Sequence, residues 1–382
     1  MGVLCTAVNS QSINQNNFSI KPIMKKILLL LSLFIVVYMS AKAETKAPAD
    51  TGKTAVAAPA PAPAPPDPPL VFSGSVDTYF KYDFSGHGNI PTSFASDQNS
   101  VSIGMIDLGL KKTVGKASFV GELSFGPRGQ YQSVPNGDGS NLNSNNSFHI
   151  QNLYVSYNVT DKFNLSAGYM STFIGYEVIS PAGNFNYSTS YLFTSGPFEN
   201  AGFKATYTFS DKVSLMAGIF NDNWNAYTST HDVSTFGAQL TVTPVKNWTA
   251  YLNVATGPTS GTIFDLTTAY QITDAFKLGL NGATFTPAHG GGGYDGVALY
   301  PQLAVSKVVT FGLRGEYFEV KNGGGNVTAI TATANIKAGP LMLIPEVRFD
   351  NKTSAFAVPF VDSSGATTNS ASQFLIAAVY AF

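Results

Sequence analysis

From residue 70 to residue 382 the chain alternates apolar and polar side chains with a period of two. The runs are short, turn residues separate them, and no stretch sustains the 3.6-residue period of a helix. Val76, Thr78, Phe80, Tyr82 and Phe84 fall on one side of such a run, and Asp77, Tyr79, Lys81 and Asp83 on the other. The pattern returns in Ala201, Phe203, Ala205, Tyr207 and Phe209, and again in Trp248, Ala250, Leu252 and Val254. It recurs in Val309, Phe311, Leu313, Gly315 and Tyr317, opposite Arg314 and Glu316. Successive side chains of a strand point to opposite faces, so each run is a wall with an oily and a wet side. Only 12% of residues are charged, about half the 25% or so of an ordinary soluble domain. A wall with one face in lipid needs few charges.

The connections between runs alternate in length. Tight turns are read at Thr160-Asp161-Lys162, Ser210-Asp211-Lys212, Thr273-Asp274-Ala275, Ser306-Lys307 and Ala338-Gly339-Pro340, with two more at Thr113 to Lys116 and Thr243 to Lys246. Between them lie the longer polar segments 85–98, 129–146, 176–197, 224–232, 286–295 and 351–369, and two shorter ones at 258–261 and 321–325. Short turns on one rim and long loops on the other are the pattern of a transmembrane β-barrel. Seven tight turns and eight long connections give 16 strands. Weak alternation near 101–110 and 326–336 leaves that count open by two (14–18). Aromatic residues gather where runs meet turns, as in Tyr157, Phe163, Tyr207 and Tyr270 on one side and Phe84, Phe173, Trp224 and Phe349 on the other. Two interfacial girdles would place them there.

The segments before residue 70 read differently. Met24-Lys25-Lys26 precedes the apolar run Ile27 to Met39 and the small-residue site Ser40-Ala41-Lys42-Ala43. A basic start, a short apolar core and an Ala-x-Ala site make residues 24–43 a secretory signal peptide, with cleavage expected after Ala43. Residues 1–23 read as an upstream extension. Cleavage would remove Lys21, Lys25, Lys26 and Lys42 and no acid, taking the formal charge from −1 to −5. Residues 44–69 end in alternating proline and alanine, Pro59 to Pro69, an extended spacer without a core. Both chain ends of the 70–382 region then fall on the short-turn side, the periplasmic one. The single cysteine, Cys5, excludes a disulfide framework. The charge balance argues against a nucleic-acid partner.

The last run is the most specific. Phe374, Ile376, Ala378, Tyr380 and Phe382 alternate up to the final residue, and a terminal aromatic on such a strand resembles the signal that bacterial barrel-assembly machinery reads. Gly168-Tyr169-Met170, Gly175-Tyr176-Glu177 and Pro181-Ala182-Gly183-Asn184 add a second motif. On these stretches, residues 70 to 382 resemble the outer-membrane β-barrel porins grouped as OmpL-like. The resemblance bears on fold more than on substrate.

Catalytic and metal chemistry find little support. Of His87, His149, His231 and His289, three lie in expected loops, and none has ligand spacing. Ser147 and His149 share a face without an identifiable third member. Gly290 to Gly293 lacks the Lys-Ser/Thr of a phosphate loop. The asparagine-rich stretch 136–146 lacks EF-hand spacing. No cofactor is implied and no enzymatic activity is expected.

Parity places Asp77, Lys81, Asp83, Glu122, Arg128, Lys204, Asp265, Arg314, Glu316, Glu346 and Arg348 opposite the apolar face. An Arg or Lys against lipid at mid-membrane costs roughly 2–4 kcal/mol, so these residues are expected to line the lumen. Five are basic and six acidic, a balance that argues against strong ion selectivity. The expectation is an all-β closed antiparallel barrel of about 16 strands in a bacterial outer membrane, with lipid around it. A barrel of that size leaves an aqueous lumen for small hydrophilic solutes to diffuse through passively, and one of the loops 129–146 and 176–197 is long enough to fold inward and narrow it. Self-association of barrels is compatible with the sequence without being specified by it. The alternative function is a structural or adhesive surface protein with a closed lumen and ligand-binding outer loops; a soluble secreted lectin sandwich is the third reading.

Overall fold

The computed structural model describes residues 68–128 and 148–382. Residues 1–67, which hold the segments expected to be an extension, a signal peptide and a spacer, and the segment 129–147 lie outside the described residues, and with them Ser147 and the asparagine-rich stretch. The strands are β1 Val71–Asp83, β2 Ser100–Val114, β3 Ala117–Phe125, β4 Phe148–Thr160, β5 Phe163–Ser171 and β6 Glu199–Ser210. They continue as β7 Val213–Phe220, β8 Thr235–Val242, β9 Trp248–Gly257, β10 Gly261–Gln271, β11 Phe276–Thr286 and β12 Tyr294–Ala304. The last barrel strands are β13 Val309–Val320, β14 Asn326–Ala338, β15 Leu341–Lys352 and β18 Ser370–Ala381. A small hairpin, β16 Phe360–Val361 with β17 Thr367–Thr368, sits between β15 and β18.

Each of the 16 long strands pairs antiparallel with its neighbours, and β18 pairs with β1 to close the barrel. The seam runs from Ser75 opposite Ala381 to Asp83 opposite Gln373. Phe382 finishes it. Its backbone N–H donates to the Gly74 carbonyl (2.9 Å), its carbonyl accepts from Gly74 N–H (3.0 Å), and its ring stacks on Phe72 at 6.0 Å.

One rim carries the connections 115–116, 161–162, 211–212, 243–247, 272–275, 305–308 and 339–340. Their chemistry is local. Thr160 Oγ1 accepts from Phe163 N–H (3.1 Å), Thr273 Oγ1 from Phe276 N–H (3.0 Å) and Ser306 Oγ from Val309 N–H (3.0 Å), each an ST-type turn. Gly115 and Gly339 take positive φ (57° and 66°), where a side chain would be strained. The opposite rim carries 84–99, 126–128 at the end of β3, 172–198, 221–234, 258–260, 287–293, 321–325 and 353–369.

The apolar face of the sheet is the exposed one. Val101 is 81% exposed, and Leu153, Phe264, Leu313 and Phe349 stand out along other strands. In a soluble sandwich those residues would be covered by a second layer; here the sheet closes on itself and turns them outward. The polar positions between them are buried.

The two weakly alternating stretches have separate causes. In β2 a bulge sets both Gly104 and Met105 against Asp77, between the pairs Val76–Ile106 and Thr78–Ile103. The extra residue inverts the parity, and Met105 N–H donates to the Asp77 carboxylate (3.0 Å). In β14 the buried positions include Val327 and Ala329, while Thr328 is exposed. Apolar residues suit that inner face because they pack there with Tyr191 and Leu192, which belong to the long segment 172–198.

Candidate functional site

The segment 172–198 leaves the rim and packs inside the barrel. Thr172 N–H donates to the Phe198 carbonyl (3.0 Å) and closes its base. Pro181–Gly183 forms a turn of 3-10 helix, which Asn184 braces by bonding both the N–H (2.9 Å) and the carbonyl (2.6 Å) of Val178. The short helix α1, Tyr191–Ser195, is capped by Ser190, whose hydroxyl oxygen accepts from Phe193 N–H (3.0 Å). Pro fixes the turn and Ser the cap.

A loop placed inside a barrel brings unpaired peptide groups with it, and burying them without partners would cost several kcal/mol. The wall supplies those partners. Glu316 accepts from Tyr191 N–H (3.0 Å) and Leu192 N–H (2.9 Å). Glu346 accepts from Tyr187 N–H (3.1 Å), and Asp265 from Gly175 N–H (3.1 Å). Arg314 donates to the carbonyls of Ser188 (2.6 Å) and Thr189 (3.2 Å) and pairs with Glu177 (2.8 Å). Arg348 donates to Thr189 O (2.8 Å) while forking onto Asp350 (2.8 and 3.0 Å). Arg128 Nε reaches Ile179 O (2.7 Å), with its guanidinium over the ring of Phe94. Wall acids thus take the loop's donors and wall arginines its acceptors. Arg314 and Arg348 end with no exposed surface.

Two tyrosines tie the loop further. Tyr187 donates to Asp77, and Tyr191 to Asp350 (2.7 Å). Burial, reinforced by those carboxylates, holds both phenols well above the usual tyrosine range, so each stays a donor. The wall also makes room. Gly237, Gly279, Gly296 and Gly312 lie under Phe173, Tyr176, Leu192 and Phe185 of the loop, so close that a Cβ at any of the four would collide with them. Tyr176 stacks on Tyr300 at 4.4 Å.

The connection 84–99 packs over the same level. Thr189 Oγ1 donates to Ser93 O (2.6 Å), Arg348 to Thr92 Oγ1 (3.1 Å), and Lys81 to Ser96 O (3.3 Å). Asp83 takes Ser85 (2.7 Å) and Asn89, and Asn89 exchanges two bonds with Val361 of the hairpin (2.9 and 2.8 Å).

Nine of the eleven charged residues named from the sequence are therefore buried around this loop system, but only eight of the nine stand on the wall: Arg128, expected on a strand by parity, falls past the end of β3 at Phe125 and reaches the loop from the connection to β4. Glu122 and Lys204 are half-buried. Glu122 accepts from Asn152 Nδ2, and Lys204 makes no ion pair among the described residues. Sequence reasoning missed Asp107, Glu177, Glu199 and Asp350. Asp350 follows Glu346 and Arg348 on one parity and could have been read. Glu177 sits in the Gly-Tyr-Glu motif, but nothing local aims it at Arg314, 137 residues away. The β2 bulge hid Asp107. His149 is buried on β4, and no group of three His, Cys, Asp or Glu side chains with metal-binding geometry occurs among the described residues.

Residues 69–382 match the profile of the family described as "Putative beta-barrel porin-2, OmpL-like". No curated protein matches the chain in sequence. Among solved structures, an anion-selective porin from Comamonas acidovorans superposes with a TM-score of 0.54 at 14% identity, covering 82% of this chain and 99% of that one. A loop-deletion variant of OmpT, an outer-membrane protein of Vibrio cholerae, gives 0.52 at 15% identity, over 82% and 99%. A variant of the Rh. blastica porin gives 0.51 at 15% identity, over 82% and 100%. These likenesses speak to the fold.

Proposed function

The chain belongs to the OmpL-like beta-barrel porin-2 family, and on that premise we propose that it is a non-enzymatic outer-membrane porin through which small hydrophilic solutes diffuse passively. The single observation that carries this reading is the distribution of polarity around a closed sheet of 16 strands: oily residues outside, charged and hydroxyl-bearing residues inside. Lipid accepts the outer face, whereas the inner face suits water. In this reading the short turns face the periplasm, where the spacer and a chain cleaved near Ala43 would lie. The long connections face outward, and the segment 172–198 narrows the bore from within, with the inward charges of the strands around the path.

Reconstituted into a planar bilayer, the folded chain should give discrete single-channel conductance steps. A correctly folded barrel that gives none would overturn the porin reading and leave the structural or adhesive one.

The closing strand supports a second part of the proposal. Phe374, Ile376, Tyr380 and Phe382 present one outward apolar stripe, and we assign it as the address for the assembly machinery. Phe382→Ala removes the Phe72 stack, worth about 1 kcal/mol, together with the terminal aromatic. The expected result is less heat-modifiable, folded barrel in the outer membrane at unchanged secretion. Equal assembly would count against that assignment.

A further inference from the structure

The inner wall changes character between the loop level and the short-turn rim. At the loop level its charges are bonded into the clamp. Nearer the short turns, the inner-face positions carry Lys111 on β2, Lys277 on β11 and Lys337 on β14, two to four residues from the turns at 115–116, 272–275 and 339–340. Pairing fixes their side of the sheet. Lys111 lies opposite Val120, two residues along from the Gly109–Glu122 pair. Lys277 is flanked by Gln271 and Gln302, and Lys337 lies opposite Met342, in step with the Thr333–Glu346 pair. Lys111 and Lys337 are exposed and Lys277 half-buried, so this end of the bore is open to water.

No carboxylate stands on the inner face within the same distance of a short turn among the described residues. The positions there hold neutral residues instead, polar ones such as Ser118, Ser156, Asn164 and Thr241 and apolar ones such as Val120 and Met342. One tier deeper, Lys204 on β6 is half-buried and makes no ion pair among the described residues. The short turns themselves add five lysines against three aspartates.

We propose that this mouth is an anion-collecting vestibule and that Lys111, Lys277 and Lys337 set an anion preference for the bore. The inference rests on the porin reading and names its solute class: small inorganic and carboxylate anions. It departs from the near-neutral balance read from the sequence, because most of the eleven charges counted there are bonded to the loop system. A ring of like charge at a mouth with low-dielectric walls concentrates counter-ions and repels co-ions. Snorkelling to lipid headgroups cannot explain these lysines, since they stand on the face turned away from lipid. Lys112, next to Lys111 but on the outer face opposite Phe119, is the internal control.

The test is the reversal potential of the reconstituted chain in a KCl gradient. The unmodified protein should pass chloride over potassium by about threefold or more, an effect of local counter-ion enrichment. The preference should weaken as salt rises from about 0.1 M to 1 M, where the Debye length falls from about 10 Å to 3 Å. The triple variant Lys111→Gln, Lys277→Gln, Lys337→Gln should bring the ratio close to one, and Lys112→Gln should leave it unchanged. Glutamine keeps a long polar side chain at each of these exposed or half-buried positions, and the salt dependence tests the vestibule without any variant. A ratio at or below one in the unmodified protein, or a preference that survives the triple substitution, would overturn the inference while leaving the porin reading intact. Absence of conductance steps would instead sink the porin reading and the vestibule with it.

Discussion

Replacing Arg314 with alanine should both destabilise the barrel and raise its single-channel conductance. The guanidinium joins the Glu177 carboxylate to the carbonyls of Ser188 and Thr189, and it also donates to Thr331 Oγ1 (3.2 Å). Removing it leaves Glu177 buried without its cation and the Ser188 carbonyl without its arginine donor, while the Thr189 carbonyl keeps only Arg348. Breaking one partner of a buried pair costs about 3–5 kcal/mol, most of it from the charge left behind. The cheapest response is for the loop to lift until water reaches Glu177, and a lifted loop widens the path. Conductance steps should therefore be larger and noisier, and the urea midpoint of the folded barrel lower. Arg314→Lys keeps the charge but loses the planar fork, so it should fall between the two. If Arg314→Ala changed stability without any change in conductance, the loop would not lie in the path.

The loop is held by opposite chemistry on its two kinds of peptide group. Carboxylates of β10, β13 and β15 receive its N–H groups, and arginines of β13 and β15 donate to its carbonyls. Alternation along one strand delivers both, since Arg314 and Glu316, or Glu346 and Arg348, stand two residues apart on one face. This is why the inward face of these strands was legible from sequence while its purpose was not. Parity says on which side a charge lies. It says nothing of a partner brought in from a segment more than a hundred residues away.

The same division holds elsewhere in the chain. The strand count came from turn chemistry, which is local: Thr160, Thr273 and Ser306 act on neighbours two or three residues along. The β2 bulge was illegible because an inserted residue breaks the period that reveals a strand, and Asp107 beyond it fell on the wrong parity. The reversed polarity of Val327 and Ala329 weakens the alternation of β14, because elsewhere in the bore the inner face is wet. They are apolar where the loop's Tyr191 and Leu192 cover them. The lysines near the short turns are legible as inner-face residues, but their weight in the bore depends on the other charges being bonded to the loop.

Gly312→Val should displace the loop from the opposite direction, by filling its seat rather than cutting its anchor. Gly312 lies on the inner face of β13 two residues from Arg314, and a side chain there would occupy the volume of the Phe185 ring. The strand cannot retreat, because it is bonded to β12 and β14 on both sides. The ring must move, and Asn186 and Tyr187, which bond Thr333 (2.7 Å) and Glu346 (3.1 Å), must move with it. Overpacking of this kind costs about 1–3 kcal/mol, less than the charge defect of Arg314→Ala, while the shift of the loop should be comparable. A β-branched residue on a strand is otherwise favourable, so the barrel itself should still assemble. Gly315→Val supplies the comparison: on the outer face of the same strand, its Cβ would meet nothing within 4 Å. Conductance should therefore change for Gly312→Val and not for Gly315→Val, with both variants folding to heat-modifiable barrels. Equal conductance in the two would mean that Phe185 and the turn beside it do not shape the path, and that the narrowing lies at another level of the bore.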